Sequence, residues 1–307
     1  MDLNKLTKAV LRLLAIIPVK TIPLPKWRRG IDMKLKTAIG LTIFGWFFTL
    51  FLLEAKRPLR RSVENKSSRV ARNTIIAGVS AVLLQLIESP LTEQLSHKVA
   101  RKRLGLLNLI TLPKVLELAG SVILLDYTLY LWHIVNHKLP MLWRFHVVHH
   151  VDLDLDASTA IRFHSGEMAI SILWRSLQIR LLGISPAALQ LWHTLLMGSI
   201  LFHHSNVRLP IAFERVLNHF IVTPRMHGIH HSAVEGETDS NWSSGLTIWD
   251  KLHGTYRDDV PQDRIVIGVP AYQKKQDVDL WSVLSLPFVD QRPSWNYVLS
   301  EGKNETE

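Results

Sequence analysis

The chain has 307 residues, 47% of them hydrophobic, ten tryptophans and a net charge of +10, with a mean hydropathy of +0.12 and an isoelectric point near 9.9. That is too apolar for most soluble proteins and too polar for a wholly embedded transporter; it fits a membrane protein with a sizeable polar cap. The absence of cysteine excludes disulfides, thiolate metal ligands, iron-sulfur clusters and cysteine-ligated haem within the chain.

Thr37 to Leu53 is a charge-free run of 17 residues, about the shortest that spans a hydrocarbon core of ~30 Å. It is the clearest expected transmembrane segment. It lies too far from the start, and lacks a small-residue cleavage site, to read as a removable signal, so it is expected to stay. Basic residues flank it on both sides: Lys26, Arg28, Arg29, Lys34 and Lys36 before, then Lys56, Arg57, Arg60, Arg61, Lys66, Arg69 and Arg72 after. Anionic lipid headgroups explain such clusters beside apolar runs. A nucleic-acid partner is not expected, because no recognition motif accompanies the charge.

Asn73 to Ile87 and Leu118 to Val135 are the next candidate spans, the latter apolar apart from Asp126 and His133. Leu181 to Phe202 is uncharged over 22 residues if His193 is neutral, with a break at Gly183 to Pro186. Together with Met168 to Arg180 it can form a hairpin. If the richer basic loop, 54–72, is cytoplasmic, all the histidine clusters described next emerge on the cytoplasmic face.

Thirteen of the fifteen histidines fall between His133 and His231, eight of them in three clusters: His133 with His137, then His146, His149 and His150, then His227, His230 and His231. Residues three and four apart share a helix face, so each cluster aims two or three imidazoles into one volume. Imidazole binds iron, zinc, copper and nickel, and three clusters exceed what one four-coordinate ion can use. Two metal ions are expected. Asp126, Tyr130, His133 and His137 form one polar stripe on an apolar helix, and Asp126 is expected to accept the second ring proton of a ligand histidine.

Leu142, Trp143 and Phe145 are expected to anchor the second cluster at the headgroup level. The segment Val151-Asp-Leu-Asp-Leu-Asp-Ala-Ser158 lacks the glycine and twelfth-position glutamate of an EF-hand and reads as a polar surface stretch. His164 and His204 are candidates to complete the coordination, whereas His97, His193, His203 and His219 read as structural. Thr223 and Pro224 are expected to start the helix of the third cluster. Asn206, Asn241 and Asp250 are expected to support the ligands. The tail from Ser300 to Glu307 reads as disordered.

These motifs, His133-x3-His137, Trp143-Arg-Phe-His-x2-His-His150, Arg162-Phe-His164, Phe202-His-His-Ser-Asn206, Thr223-Pro-Arg-Met-His-x2-His-His-Ser232 and Trp249-Asp-x2-His-Gly-Thr255, resemble the fatty acid hydroxylase, or sterol desaturase, superfamily over roughly residues 70–260. His253 stands where the signature usually has phenylalanine, Asn241-Trp-Ser stands for Asn-Tyr-Gly, and the first 70 residues carry no matching motif. The resemblance implies an integral membrane, all-histidine di-iron oxygenase that acts on a lipid with O2. It leaves the lipid, and hydroxylation against desaturation or cleavage, open.

The fold expected is all-α: a membrane helical bundle with a helical cytosolic cap carrying the histidines. Its divisions are 1–70 as an N-terminal membrane segment, 71–260 as the catalytic domain and 261–307 as an extension. Zinc can substitute in the site but has no redox chemistry; the cofactor that the resemblance implies is two iron ions. No flavin or dinucleotide fingerprint and no haem-binding module is present, so electrons come from a separate ferredoxin- or cytochrome b5-like protein, docking on the basic surface. The competing classes are a histidine-rich metal transporter, which would hold its ligands at mid-membrane on several helices, and a non-catalytic zinc-binding membrane protein.

Overall fold

The computed structural model describes residues 26–296, with side chains from 33; the tail expected to be disordered lies outside the described residues. These residues form an all-α structure with no strand, and only isolated bridges tie loops together: Pro58 with Val207, Ile221 with Leu246, and Ser232 with Ile267. Three helical stretches are long and apolar enough to cross a membrane: Met33–Lys56, Lys66–Asn108 and Lys114–Lys138.

The first stretch lies in α1 (Lys26–Lys56). Leu41, Phe44 and Phe48 on it are exposed, as suits a helix whose surroundings are hydrocarbon. The second is one rod made of α2 (Lys66–Leu83), a π-helical turn at Leu84–Glu88 and α3 (Ser89–Lys102), longer than the 73–87 stretch that hydropathy marks. Pro90 sits in the first turn of α3, where its ring would collide with the carbonyl four residues back in an unbroken α-helix. The wider π turn accommodates it, so the helix continues. Arg103, in the left-handed region at φ 50°, ends it.

The third stretch is α4 (Lys114–Lys138), whose buried residues Ser121, Leu125, Asp126, Tyr130 and His133 fall on one helical face. A single residue links it to α5 (Pro140–His150). The expected hairpin is α6 (Ser165–Leu182) and α7 (Pro186–His204). Gly183 makes the turn at φ 83°; a Cβ there would press on the Leu104 carbonyl at 2.7 Å, so only glycine fits. Leu125, Ile179, Ala188 and Trp192 join Leu95 and Val99 in one core that binds α3, α4, α6 and α7. That core sets where the ends of α4 and α7 stand.

The acidic segment after α5 overturns the surface reading. Asp152, Asp154 and Asp156 are buried, and so is Arg69 of α2 among them. Its Nη1 lies 3.0 Å from Asp152 Oδ2, its Nε 3.8 Å from Asp154 Oδ2, and its Nη2 pairs with Asp156. Asn73 Nδ2 donates to Asp152 at 2.9 Å, and Arg162 Nη1 donates to Asn73 Oδ1 at 2.7 Å. Burial pushes the Asp152 carboxyl up, but the Arg69 and Arg162 guanidiniums outweigh it and hold it below the usual carboxylate range. Several cations assigned above to lipid are therefore consumed internally: Arg69 here, Arg72 by Glu64, and Lys66 by Glu54.

The segment from 261 onward also packs inward. Val269, Tyr272, Val278 and Val283 share a core with Ile76 of α2 and with Val147, Val148 and Val151 around α5. Trp143 joins them, with its Nε1 donating to Ser294 Oγ at 2.9 Å, and Leu142 is buried. Neither residue is the interfacial anchor expected: the 269–295 segment packs on Trp143, and Leu142 is buried.

Candidate metal centre

The histidines come from four helix ends. His133 and His137 lie in the last turns of α4, and His146, His149 and His150 at the end of α5. His204 is the last residue of α7. His227 and His230 lie on α9 (Pro224–His230), after the short α8 (Ile211–Leu217), with His231 as the next residue. Pro224 opens α9 as expected, but the Thr223 hydroxyl makes no cap bond.

Two sets of four imidazoles result. In the first, ring nitrogens of His133, His137, His150 and His230 all lie within 4.8 Å of one another; in the second, those of His149, His204, His227 and His231 do. The sets share a wall: His149 and His150 are neighbours on α5 but face different sets, and the His150 and His231 rings stack at 4.3 Å.

In the second set the Nε2 atoms of His149 and His204 are 3.0 Å apart, those of His204 and His227 3.0 Å, and those of His227 and His231 3.1 Å. Two imidazole nitrogens each ~2.1 Å from one ion, at right angles, stand about 3.0 Å apart. The spacing is that of ligands to a shared cation.

Hydrogen bonds from the far side of several rings fix which nitrogen faces inward. His133 Nδ1 donates to the Trp242 carbonyl at 2.7 Å, His230 Nδ1 to that of Ser240 at 2.9 Å, and His204 Nδ1 to that of Ile200 at 2.7 Å. With Nδ1 protonated, each Nε2 keeps its lone pair. His137, His150 and His230 then have a buried Nε2 without a partner. Buried polar atoms are rarely left so, and these three belong to the first set, where a metal ion would satisfy them; in the second set the Nε2 atoms instead crowd one another. The donor set is all neutral nitrogen, suited to iron, zinc, copper or nickel.

His146 belongs to neither set. Its Nδ1 bonds Glu167 Oε1 at 2.8 Å, its Nε2 is buried without a partner, and its ring lies 4.8 Å from that of His137 and 5.0 Å from that of His150. His164 is placed outside both sets: its Nδ1 accepts from Gly166 N–H at 3.0 Å and its Nε2 bonds the Leu284 carbonyl at 3.2 Å. His203, expected to be structural, has both ring nitrogens buried without a hydrogen-bond partner, and its ring lies 4.1 Å from that of His227. The signal for it was its adjacency to His204 at a helix end. Glu167, missed altogether, lay in the first turn of a helix that only the fold brings to His146.

The residues expected to support the ligands act through backbone rather than by touching imidazole. Asp126 takes Leu246 N–H at 3.0 Å and Trp249 Nε1 at 2.7 Å, not a ligand ring. Its carboxylate lies so close to Gly245 that a Cβ there would collide with it. Asn206 holds Arg60, accepting its N–H at 2.8 Å and donating to its carbonyl at 2.9 Å. Asn241, at φ 52°, donates to the carbonyls of Met226 and Arg257 at 2.9 and 2.8 Å, which sets the start of α9. Asp250, on α11 (Ile248–His253), the helix after the single turn α10 (Glu235–Thr238), accepts Trp242 N–H at 2.8 Å, Ser243 N–H at 3.0 Å and Thr255 Oγ1 at 2.7 Å. It thereby aims the Trp242 carbonyl at His133. His253 meanwhile stacks on Tyr130 at 5.2 Å, where a phenylalanine ring would also fit.

Asp250→Ala strips two buried N–H groups and a hydroxyl of their acceptor and frees Trp242. The expected result is a loss of about 2–3 kcal/mol of stability and a 10- to 100-fold weaker metal affinity, read by thermal unfolding and metal titration; unchanged metal affinity would remove Asp250 from the support of His133.

Burial, and the neighbouring imidazoles after it, push His149, His150, His227 and His231 well below the ordinary histidine value, and burial lowers His230 to about 3. An unfolded histidine titrates near 6.5, so between that value and the folded one the unfolded chain binds more protons. The stability these rings confer is present above about pH 6.5 and is lost as pH falls toward 3, by up to about 1.4 kcal/mol per pH unit for each ring. Melting temperature, with and without metal, is expected to fall steeply from pH 7 to pH 5; a flat profile contradicts buried neutral imidazoles.

Residues 118–255 match the family model described as fatty acid hydroxylase. Among curated proteins, the chain is 30% identical to the ornithine lipid hydroxylase OlsE of Rhizobium tropici over 158 residues, 51% of this chain and 46% of that one. It is 32% identical to a cholesterol 25-hydroxylase-like protein of Danio rerio, covering 45% and 55%, and 28% identical to the alkylglycerol monooxygenase of Homo sapiens, covering 47% and 31%. The chain thus spans about half or less of the length of these relatives. No solved structure matches it. The matched segment, which contains the motifs and the converging imidazoles, is a fatty acid hydroxylase domain at residues 118–255.

Proposed function

We propose that the chain is a membrane-bound di-iron oxygenase that uses O2 and external electrons to hydroxylate, or desaturate, a lipid of the fatty acyl, sterol-like or ether class. The observation that supports this reading most is the pair of adjoining four-imidazole sets, with unpartnered Nε2 atoms in the first and Nε2 atoms 3.0–3.1 Å apart in the second. His133, His137, His150 and His230 would hold one iron, and His149, His204, His227 and His231 the other. His146, whose buried Nε2 has no partner, stands beside the first set as a further candidate nitrogen for it, whereas His164, with both nitrogens on backbone groups, keeps only a capping role. Bound iron supplies the redox chemistry that breaks an unactivated C–H bond, which side-chain acids and bases and redox-inert zinc do not.

The protein's part is geometric. The carbonyls of Ser240, Trp242 and Ile200 hold the tautomers; Glu167 holds His146; Trp143 and Trp242, with rings 4.8 and 4.6 Å from that of His137, cover the first set. Hydrophobic cover of this kind excludes water from the reacting centre. The ligands stand at the ends of α4 and α7, where a lipid could present its tail from the bilayer. We place this face at the cytoplasm, supported by the exposed Lys56, Arg57 and Arg61 beside the first span, and assign electron delivery to a separate ferredoxin- or cytochrome b5-like carrier. Residues 71–260 would then be the catalytic domain.

The test is incubation of iron-loaded protein with lipid extract, a reductase system and 18O2. The expected product is a lipid carrying one 18O atom, or an alkene with labelled water; metal uptake without oxidised lipid overturns the reading.

A further inference from the structure

The loop after the first span contains more cations than the protein itself uses. Arg69, Arg72 and Lys66 pair with carboxylates, and Arg60 donates to Gln262 Oε1 at 2.5 Å and to the Pro224 carbonyl at 3.3 Å. Lys56 and Arg57 remain exposed. With Arg208, from the loop four residues after His204, they line an open cavity of about 470 Å3 completed by Pro58, Leu209 and Pro210. No acidic side chain lines it, and none of the three cations has a carboxylate partner among the described residues. Lys56 alone would merely complement the C-terminal dipole of α1; Arg57 and Arg208 lie beyond that helix and come from segments 150 residues apart.

The two segments are pinned together. Arg208 N–H bonds the Arg57 carbonyl at 2.8 Å, and Leu59 N–H bonds the Asn206 carbonyl at 2.8 Å. Buried Glu54 takes Asn206 N–H at 2.9 Å. The cations are therefore preorganised, not gathered on a mobile loop. Lys56 is also the last residue of the first apolar stretch, which sets the cavity at the depth where hydrocarbon gives way to headgroups.

We infer that this cavity binds the phosphate of an anionic lipid headgroup through Lys56, Arg57 and Arg208. A free phosphate offers the same charge, but the cavity's position at the end of a span, and its walls of Pro58, Leu209 and Pro210, favour the lipid. The inference is independent of the oxidation chemistry. A bound lipid there would brace the segment that carries His204.

The experiment measures binding of fluorescent phosphatidylglycerol to the detergent-purified full chain at fixed salt, with phosphatidylcholine and inorganic phosphate as competitors. A cation at a membrane surface contributes about 1 kcal/mol, roughly a factor of five, so the double variant Arg57→Gln with Arg208→Gln is expected to bind about 30-fold more weakly. The charge-matched control Arg264→Gln with Lys275→Gln, both exposed, is expected to bind like the parent. Unlabelled phosphatidylglycerol should displace the probe at far lower concentration than either competitor. Equal loss in the control pair overturns the site; displacement by inorganic phosphate at the same concentration as by the lipid overturns the lipid as its occupant.

Discussion

Replacing His150 or His231 with alanine is expected to cost one bound metal ion per chain and to lower lipid oxidation by at least about three orders of magnitude, out of the 10⁶-fold or greater acceleration typical of enzymes. The two rings belong to different sets yet stack at 4.3 Å, so the loss of either removes one nitrogen of its own four-imidazole set and disturbs the wall of the other. His164→Ala is the comparison that separates coordination from burial: its nitrogens are spent on Gly166 and Leu284, and it should keep the metal count of the parent. Metal content by mass spectrometry and product formation in parallel decide the matter. A His150→Ala or His231→Ala protein with the parent's metal content would contradict the assignment, and a His164→Ala protein lacking one ion would return His164 to the ligand set.

Arg69→Met is expected to be the most destabilising single change outside the histidines, by about 3–5 kcal/mol, because it leaves Asp152, Asp154 and Asp156 buried without their shared cation. The methionine fills much of the volume, so the loss is electrostatic rather than a cavity. Lowering the pH toward the carboxylate range should recover part of it, since protonated carboxyls need no partner. Thermal unfolding of the detergent-solubilised variant measures this, and a loss below about 1 kcal/mol would mean that water or another cation reaches the acidic trio.

The spans and the histidine clusters were legible because both depend on short-range regularities: hydrocarbon thickness selects long apolar runs, and helical periodicity puts imidazoles three and four apart on one face. What sequence does not carry is which cluster meets which. His149 and His150 are adjacent in the chain and face different sets, a division that depends on how α5 lies between α4 and α9. The same holds for Asp126, whose partners Leu246 and Trp249 come from more than a hundred residues away. The alternating Asp152-Leu-Asp154-Leu-Asp156 pattern reads as solvated because its cation is on α2, some 80 residues earlier. His203 meets the His227 ring only because the fold brings α9 to the end of α7. Long-range convergence, not local composition, decides each of these.

If the two four-imidazole sets each hold a redox-active ion, activity has a fixed metal stoichiometry, which titration of metal-free protein with ferrous iron reads while lipid oxidation is followed. Activity is expected to rise until about two irons are bound per chain, with zinc filling the same positions and giving none. Saturation of activity at one iron, or turnover sustained by zinc alone, would contradict it.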